Sequence, residues 1–393
     1  MKINLKNFLD PTRKTSKMGD FQELKHIEGL QVSAVSADLY KNGRDDLSLF
    51  YFPEAANYAV AYTQSSIVSE SIIWNRENTK NNIKALVVNT KNANTFTGEQ
   101  GLSSLDDIAK TLIESLKKFE NENKYEKTKK KDILFASTGV IGEKFPIEKI
   151  KANISNLVSN MRINQNKLIW LKMASAIMTT DTKPKVAYSE IKLGDKIIRI
   201  AGVAKGSGMI APNLATMFSF IFTDADISSA VLNKYLNKVL SNTFNAITVD
   251  SDTSTNDMVA IFATRKTKNK KLNIISSKEA LKFEKALGTV CHDLSKQIVV
   301  DGEGAKKFIT VKIINSETVE RAKNIAFSIA NSPLIKTAVA GEDPNWGRIL
   351  MGIGKSGEKI DSKKIIIKLG EFIVAENGKI SDSYDEEKLQ EYM

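Results

Sequence analysis

The stretch Lys205-Gly-Ser-Gly-Met-Ile-Ala-Pro-Asn-Leu-Ala-Thr-Met217 is a glycine- and proline-punctuated loop that runs into the apolar segment Met217–Phe222. An Ala215–Thr216 bond sits at the junction. Acyl transfer needs a nucleophile, a general base and donors for an oxyanion. Only two histidines occur, His26 and His292, so a histidine triad and a multi-histidine metal site both fit poorly. A lysine amine titrates near about 10.4 and an α-amine near about 7.7–8.0. A threonine at a chain start therefore carries its own usable base. Cleavage before Thr216 would create one, with Gly206, Gly208 and Pro212 holding a kinked segment in which the Thr216 hydroxyl reaches the Ala215 carbonyl. On local residues alone a buried threonine opening a strand is the simpler reading, and both stay open here.

Other candidates are weaker. Asp250-Ser-Asp-Thr-Ser begins like a calcium loop, but Thr255 stands where glycine is required and Ile261 where glutamate is. That segment reads instead as hydrogen-bonding side chains, either structural or supporting a site. Gly206-Ser-Gly208 follows a strand without the spacing of a phosphate loop. Gly302-Glu303-Gly304 places one carboxylate between two glycines, a ligand contact or a plain turn. Cys291 and His292 are adjacent, and neighbours in sequence point apart, so a half-buried structural cysteine is expected rather than a dyad.

The elements that must position these groups alternate without a strict βαβ rhythm, which predicts α+β or layered α/β architecture with mixed sheets. Strands are expected at Leu30–Val35, Leu47–Phe52, Ala59–Thr63, Ile83–Asn89, Asp132–Ala136, Val259–Ala263 and Gln297–Asp301. A hairpin is expected around Gly194-Asp195. Apolar spacing predicts a helix over Ser103–Phe119, capped by Ser103 or Ser104, and others after Pro146 and over Leu168–Met178, Asp226–Val239, Ser277–Asp293 and Val319–Ala330. Thr243–Val249 and Phe308–Ile313 read as extended, and Glu120–Lys131 as a charged, exposed linker. The polar loop Asn89–Gly98 is either a turn that satisfies its own backbone or a support for a site.

The 393 residues suffice for one large or two smaller domains. The formal charge of +11 raises nucleic acid as a partner. The lysine clusters at Lys124–Lys131 and Lys266–Lys271 are short and hold a single aromatic, Tyr125, between them, so solvated faces are the better reading. A single cysteine forbids an internal disulfide and fits a reducing cytoplasm. No apolar core of a leader occurs in Met1–Asp20, and no apolar run of transmembrane length exists, so no membrane partner is expected.

Taken together, several long motifs in order closely resemble the ornithine acetyltransferase (glutamate N-acetyltransferase) family. They are the Lys205–Met217 stretch, Asn92-Ala-Asn94 with Thr97-Gly98, Ser137-Thr-Gly-Val-Ile-Gly142 and Ala176–Thr182. Ile247–Asp257, Asp301-Gly-Glu-Gly-Ala305 and Gly341–Leu350 complete the set. The resemblance spans nearly the whole chain and implies that family's fold. It implies transfer of acetyl from N2-acetyl-L-ornithine to L-glutamate through an acetyl-enzyme, after self-cleavage between Ala215 and Thr216. Some relatives also accept acetyl-CoA. The family's nucleophile falls on Thr216, its oxyanion hole on Thr138 and Gly139, and its substrate contacts on Thr182, Lys205, Thr216 and Glu303. No cofactor or metal is implied. Members are typically heterotetramers of two α and two β chains, here residues 1–215 and 216–393.

Ser251 stands where the family usually has glycine, and Lys306 where it often has threonine. The family also continues past a segment that Glu391-Tyr392-Met393 resembles, to an asparagine and a terminal threonine or serine that contact substrate. Self-cleavage is expected to tolerate that difference better than turnover does. The alternative reading among enzymes is an N-terminal-nucleophile amidohydrolase or aminopeptidase that passes the acyl group to water.

Overall fold

The computed structural model describes residues 23–79, 82–211 and 217–393. Met1–Asp20, Pro212 and the Ala215–Thr216 bond, on which expectations were placed above, lie outside the described residues. Two compact units divide between Glu303 and Gly304. The expected processing point therefore falls within the sequence span of the first unit.

The first unit contains β1 (Gln31–Val35), β2 (Leu47–Tyr62), α1 (Glu70–Asn78), β3 (Asn82–Asn89), α2 (Gly98–Glu122), β4 (Ile133–Ser137), α3 (Ile147–Ser159) and α4 (Lys167–Ala176). It continues through β5 (Lys185–Leu193), β6 (Lys196–Lys205), β7 (Phe218–Thr223), α5 (Ser229–Asn242), β8 (Met258–Ala263) and α6 (Lys278–Val300). The strands form one sheet in the order β4-β3-β2-β8-β7-β6-β5, with β1 also paired to β2. The β3–β4 and β7–β8 pairs are parallel, whereas the others are antiparallel. This is layered α/β architecture with a mixed sheet.

The centre of the sheet shows why its sequence is so apolar. Every residue of β7 is buried. Alternate side chains face opposite ways along a strand. Ile221 joins Val259, Ile261, Leu236 and Leu287 in a core under α5 and α6. Phe218, Phe220 and Phe222 join Phe50, Phe52, Phe262 and Trp170 in another. Phe50 and Phe222 stack with centroids 4.9 Å apart, and Phe52 and Phe262 at 5.0 Å. A strand buried on both faces has no solvent side to carry polar residues. A third core packs Leu105, Ile108, Leu112 and Leu116 of α2 against Val87 and Phe135 of β3 and β4.

Several sequence expectations need correction. Gln297–Val300 is the last turn of α6 and not a strand. Its β-branched residues favour strand by propensity, but Ile298 follows Val290 and Leu294 at helical spacing into the same core. The Gln297 amide also clamps the Val186 backbone, accepting at 3.1 Å and donating at 2.8 Å. α2 begins at Gly98, and its start is capped from another segment: the Glu70 carboxylate accepts from Thr97 N and Gly98 N. The stretch Glu120–Lys131 is not wholly exposed, since Glu120 and Thr128 are buried. The two strands expected in 47–63 are one, β2, with a register shift between Tyr51 and Ala56. Thr243–Val249 contains a short 3-10 turn, and no strand forms over Phe308–Ile313. α1 escaped notice because it has no apolar stripe: it buries Glu70, Ser71 and Asn75 beside Ile72 and Trp74.

The second unit comprises α7 (Val319–Ala330), α8 (Pro333–Ala340), α9 (Trp346–Gly354), β9 (Ile367–Leu369), β10 (Phe372–Glu376), β11 (Lys379–Ile380) and α10 (Glu386–Tyr392). Its core gathers Ile325, Ile329, Ile335, Ile353, Val374 and Leu389. The Gly341–Leu350 motif joins α8 to α9, where Arg348 Nη1 donates to Leu334 O at 2.7 Å. Among the described residues of the chain, no helix is long and apolar enough to cross a membrane.

Candidate active site

Thr138 and Gly139 follow the end of β4 directly. The preceding residue, Ser137, is fastened from three sides. Its Oγ accepts from Asn94 N at 2.9 Å and lies 3.0 Å from Ser71 Oγ. Its carbonyl accepts from Asn256 Nδ2 at 2.8 Å, and Asn256 Oδ1 in turn accepts from Thr95 Oγ1 at 2.7 Å. The Asn89–Gly98 loop thus does both things the sequence allowed. It satisfies itself, through Asn89 to Asn92 O at 2.9 Å and Thr97 Oγ1 to Asn94 Oδ1 at 2.6 Å, and it anchors the end of β4.

Gly139 has φ +132°, and a Cβ there would lie 2.1 Å from Lys91 O. Only glycine fits that backbone and that approach. Thr138 N donates to Asn89 O at 3.1 Å. Among the described residues nothing accepts from Gly139 N–H. The Thr138 hydroxyl and the Gly139 N–H are therefore the two donors this turn has to offer.

Lys205, the last residue of β6, reaches across to them: its Nζ donates to Thr138 Oγ1 at 2.7 Å. That bond occupies an acceptor site on the hydroxyl and leaves its proton to be donated elsewhere. The Lys205 side chain is almost wholly buried, with the Phe218 ring 5.3 Å from the ammonium. Burial pushes the amine below the usual lysine range, although Asp181 and Asp257 pull it back toward the charged form.

Beside Lys205 lies a dense set of buried charges. Lys185 Nζ bridges Asp181 Oδ1 and Asp301 Oδ2, each at 2.6 Å. Burial opposes the Asp181 charge, but Lys185, Lys205 and the Gly206 N–H outweigh it and hold that carboxyl at about 2. Asp301 receives Thr182 N at 3.0 Å and also the Thr182 hydroxyl.

The loop beyond Lys205 is pinned by carboxylates on both sides of residues 212–216. Gly206 N donates to Asp181 Oδ1 at 2.6 Å, and Ser207 Oγ to Asp301 O at 2.7 Å. Glu303 N donates to Ser207 O at 3.0 Å, and the Glu303 carboxylate lies so close over Gly208 that a Cβ there would sit 2.8 Å from it. Met209 N and Ile210 N donate to the two oxygens of Asp250 at 2.6 and 2.9 Å. On the far side Met217 N donates to Asp257 Oδ1 at 2.6 Å. Asp250–Asp257 is therefore a support for the loop.

Thr138, Gly139 and Lys205 come together directly, and Thr182 and Glu303 join them through Asp301 and Ser207. Thr216 lies outside the described residues. Asp181, Lys185, Asp257 and Asn256 were not singled out in the sequence. A signal for the first two existed: a carboxylate and a lysine four apart, one at a loop and the other opening an apolar strand. Cys291 is buried more deeply than expected, and burial pushes its thiol up, away from reactivity. His292 beside it is exposed, so the two side chains point apart.

The profile of the ArgJ family matches residues 31–393. A protein of Bartonella quintana named arginine biosynthesis bifunctional protein ArgJ is 41% identical over 377 residues, 95% of this chain and 88% of that one. Its namesake in Bartonella henselae is 42% identical over 378 residues, again 95% and 88%. A solved ornithine acetyltransferase of Mycobacterium tuberculosis, complexed with ornithine, is 26% identical over 49% of this chain and 99% of that chain, at a TM-score of 0.41. The chain is an acyltransferase enzyme. It belongs to the ArgJ family.

Proposed function

We propose that this enzyme transfers acetyl from N2-acetyl-L-ornithine to L-glutamate in arginine biosynthesis, with Thr216 as nucleophile after the chain cuts itself between Ala215 and Thr216. The observation that carries the reading is the 2.7 Å bond from Lys205 to Thr138, which joins two of the motifs across 67 residues. In the cut, Thr216 Oγ attacks the Ala215 carbonyl, the peptide C–N bond breaks, and water hydrolyses the resulting ester. The freed α-amine of Thr216 then serves as base.

In the first half-reaction Thr216 Oγ adds to the acetyl carbonyl and its proton passes to the α-amine. Thr138 Oγ1 and Gly139 N–H hold the oxyanion. The amide C–N bond breaks, ornithine leaves with the proton, and acetyl remains as an ester on Thr216. In the second, the glutamate amine attacks that ester, its proton passes through the Thr216 α-amine to the Thr216 oxygen as the C–O bond breaks, and N-acetylglutamate leaves with the Thr216 hydroxyl restored. Lys205 meets a substrate carboxylate, while Thr182 and Glu303 hold the polar and ammonium groups of the amino acid. The active form is proposed to hold two chains of residues 1–215 and two of 216–393. Acetyl-CoA as a second donor belongs to the same proposal.

The test is N-terminal sequencing of the purified protein with an acetyl-transfer assay. A second start at Thr216 and production of N-acetylglutamate are expected, both lost in Thr216→Ala. An intact chain that still transfers acetyl would overturn the nucleophile, and release of free acetate in place of N-acetylglutamate would favour a hydrolase.

A further inference from the structure

The charges behind the site form a closed arrangement. Asp181, Lys185, Lys205 and Asp301 are all almost wholly buried. Two ammoniums face two carboxylates, so the cluster is neutral before Asp257 is counted. Each carboxylate also carries a neighbour's backbone. Asp181 holds Gly206 N, directly after Lys205, and Asp301 holds Thr182 N and hydroxyl. The Asp301 carbonyl accepts from Ser207, whose own carbonyl accepts from Glu303. Lys185 is the link between the carboxylates, and Lys183 O accepts a further bond from it at 3.2 Å. None of Asp181, Lys185 or Asp301 figures among the groups assigned to substrate.

We infer that Asp181 and Lys185 are positioning residues of the transferase site: with Asp301 they form a buried ion triad that fixes Thr182 and the Gly206 backbone and keeps the Lys205 ammonium charged toward Thr138. The inference rests on the reading of Lys205 and Thr182 as substrate contacts. The groups that face Lys205 are Asp181 and Lys185 from the β5 side, Asp257 ahead of β8, Thr138 after β4 and the Phe218 ring of β7. Two are anionic and one is cationic. Removing an anion must therefore make Lys205 harder to protonate, and removing the cation must make it easier.

These opposite signs separate a charge-setting role from a merely structural one. The full chain is labelled with 13C at the lysine ε-carbon, and Lys205 is assigned by its loss in Lys205→Arg. Its titration is then followed in wild type, Asp181→Asn and Lys185→Met, beside the pH profile of kcat/KM. In wild type Lys205 is expected to be charged at pH 7. Asp181→Asn, which keeps an oxygen for Gly206 N, is expected to lower the Lys205 midpoint by about 1–3 pH units, and Lys185→Met to raise it. The alkaline limb of kcat/KM is expected to follow, while the acid limb stays in place.

A Lys205 amine already neutral at pH 7 in wild type would overturn the inference. So would midpoints that move together or stay still in whichever variants fold. If Lys205 titrates as expected but no acetyl is transferred, the proposed function fails and the triad stands. If acetyl is transferred and Lys205 does not respond, the reverse holds.

Discussion

Two buried lysines of the first unit sit in opposite kinds of company. Lys84, on β3, is salt-bridged to Glu120 at 3.1 Å. Glu120 also accepts from Tyr51 OH at 2.9 Å, from Thr128 N at 3.0 Å and from the Thr128 hydroxyl. Burial opposes the Glu120 charge, but these donors together lower its pKa, while burial and the Glu120 charge push the Tyr51 phenol up. The Lys84 ammonium also donates to Glu126 O and faces the Tyr51 ring. Lys205 has carboxylates nearby, yet among the described residues its one hydrogen-bond acceptor is Thr138 Oγ1. An ammonium carries three donors. The first cluster is chemically closed and ties the end of α2 to the sheet. The second retains bonding capacity on a buried cation, which is what a site for an anionic group needs.

The sharpest way to break the contrast is to remove each lysine. Lys84→Met leaves Glu120 buried without its cation and is expected to cost about 3–5 kcal/mol. Acetyl transfer per folded molecule should stay near wild type. Lys205→Met should cost at least about 2 kcal/mol less than that in stability, because Asp181 keeps Lys185, yet turnover should fall about 100-fold or more. Denaturant melts and steady-state kinetics on the same preparations decide it. Equal losses of stability and activity in both variants would erase the distinction between the clusters.

That contrast also marks what the sequence could reveal. β7 and β8 were legible as unbroken apolar runs because both of their faces are buried, and, although α8 and α9 went unassigned, α2, α3, α5, α6 and α7 were found from their apolar stripes. α1 was not, because it buries polar groups, and the end of α6 was misread because Val299 and Val300 look like strand by propensity alone. Thr138, Gly139, Thr182 and Lys205 were reached by resemblance rather than by chemistry readable in their spacing, whereas Glu303 stood out between its two glycines only as a ligand contact or a plain turn. Asp181 and Lys185 were passed over because a charge in a turn or at the first residue of a strand looks solvated. Nothing local says that Asp301, 116 residues from Lys185, will close over it.

A second prediction concerns the donor that Lys205 addresses. Thr138→Ala removes one of the two proposed oxyanion donors and is expected to lower kcat about 10²–10³-fold, while Thr138→Ser keeps the hydroxyl and stays near wild type. A loss confined to KM would place Thr138 in substrate binding instead. The third concerns acid stability. The Asp181 carboxyl is held at about 2, below its ordinary 3.8. A depressed carboxylate pKa stabilises the fold above the unfolded value and loses that contribution as pH falls through the folded one. Asp181 should thus contribute about 2–3 kcal/mol at neutral pH, fading between about pH 4 and 2. The same melts on Asp181→Asn should show that part of the acid slope gone.

The smallest expected effect lies on the loop's other support. Ser251 has φ +68°. A side chain in that conformation costs about 1–2 kcal/mol, and glycine gives back about 0.5–1 kcal/mol of that through the entropy it loses on folding. Ser251→Gly should therefore stabilise the protein by about 0.5–1 kcal/mol. Asp250, directly before it, holds Met209 N and Ile210 N with its two carboxylate oxygens, and those bonds do not involve the Ser251 side chain. Self-cleavage should accordingly proceed at an unchanged rate in the variant, followed by the appearance of the 216–393 chain in a mass spectrum over time. A slower cut alongside the gain in stability would mean that the strained turn at Ser251 bears on the geometry at Ala215–Thr216. The support would then be working through conformation as well as through its hydrogen bonds.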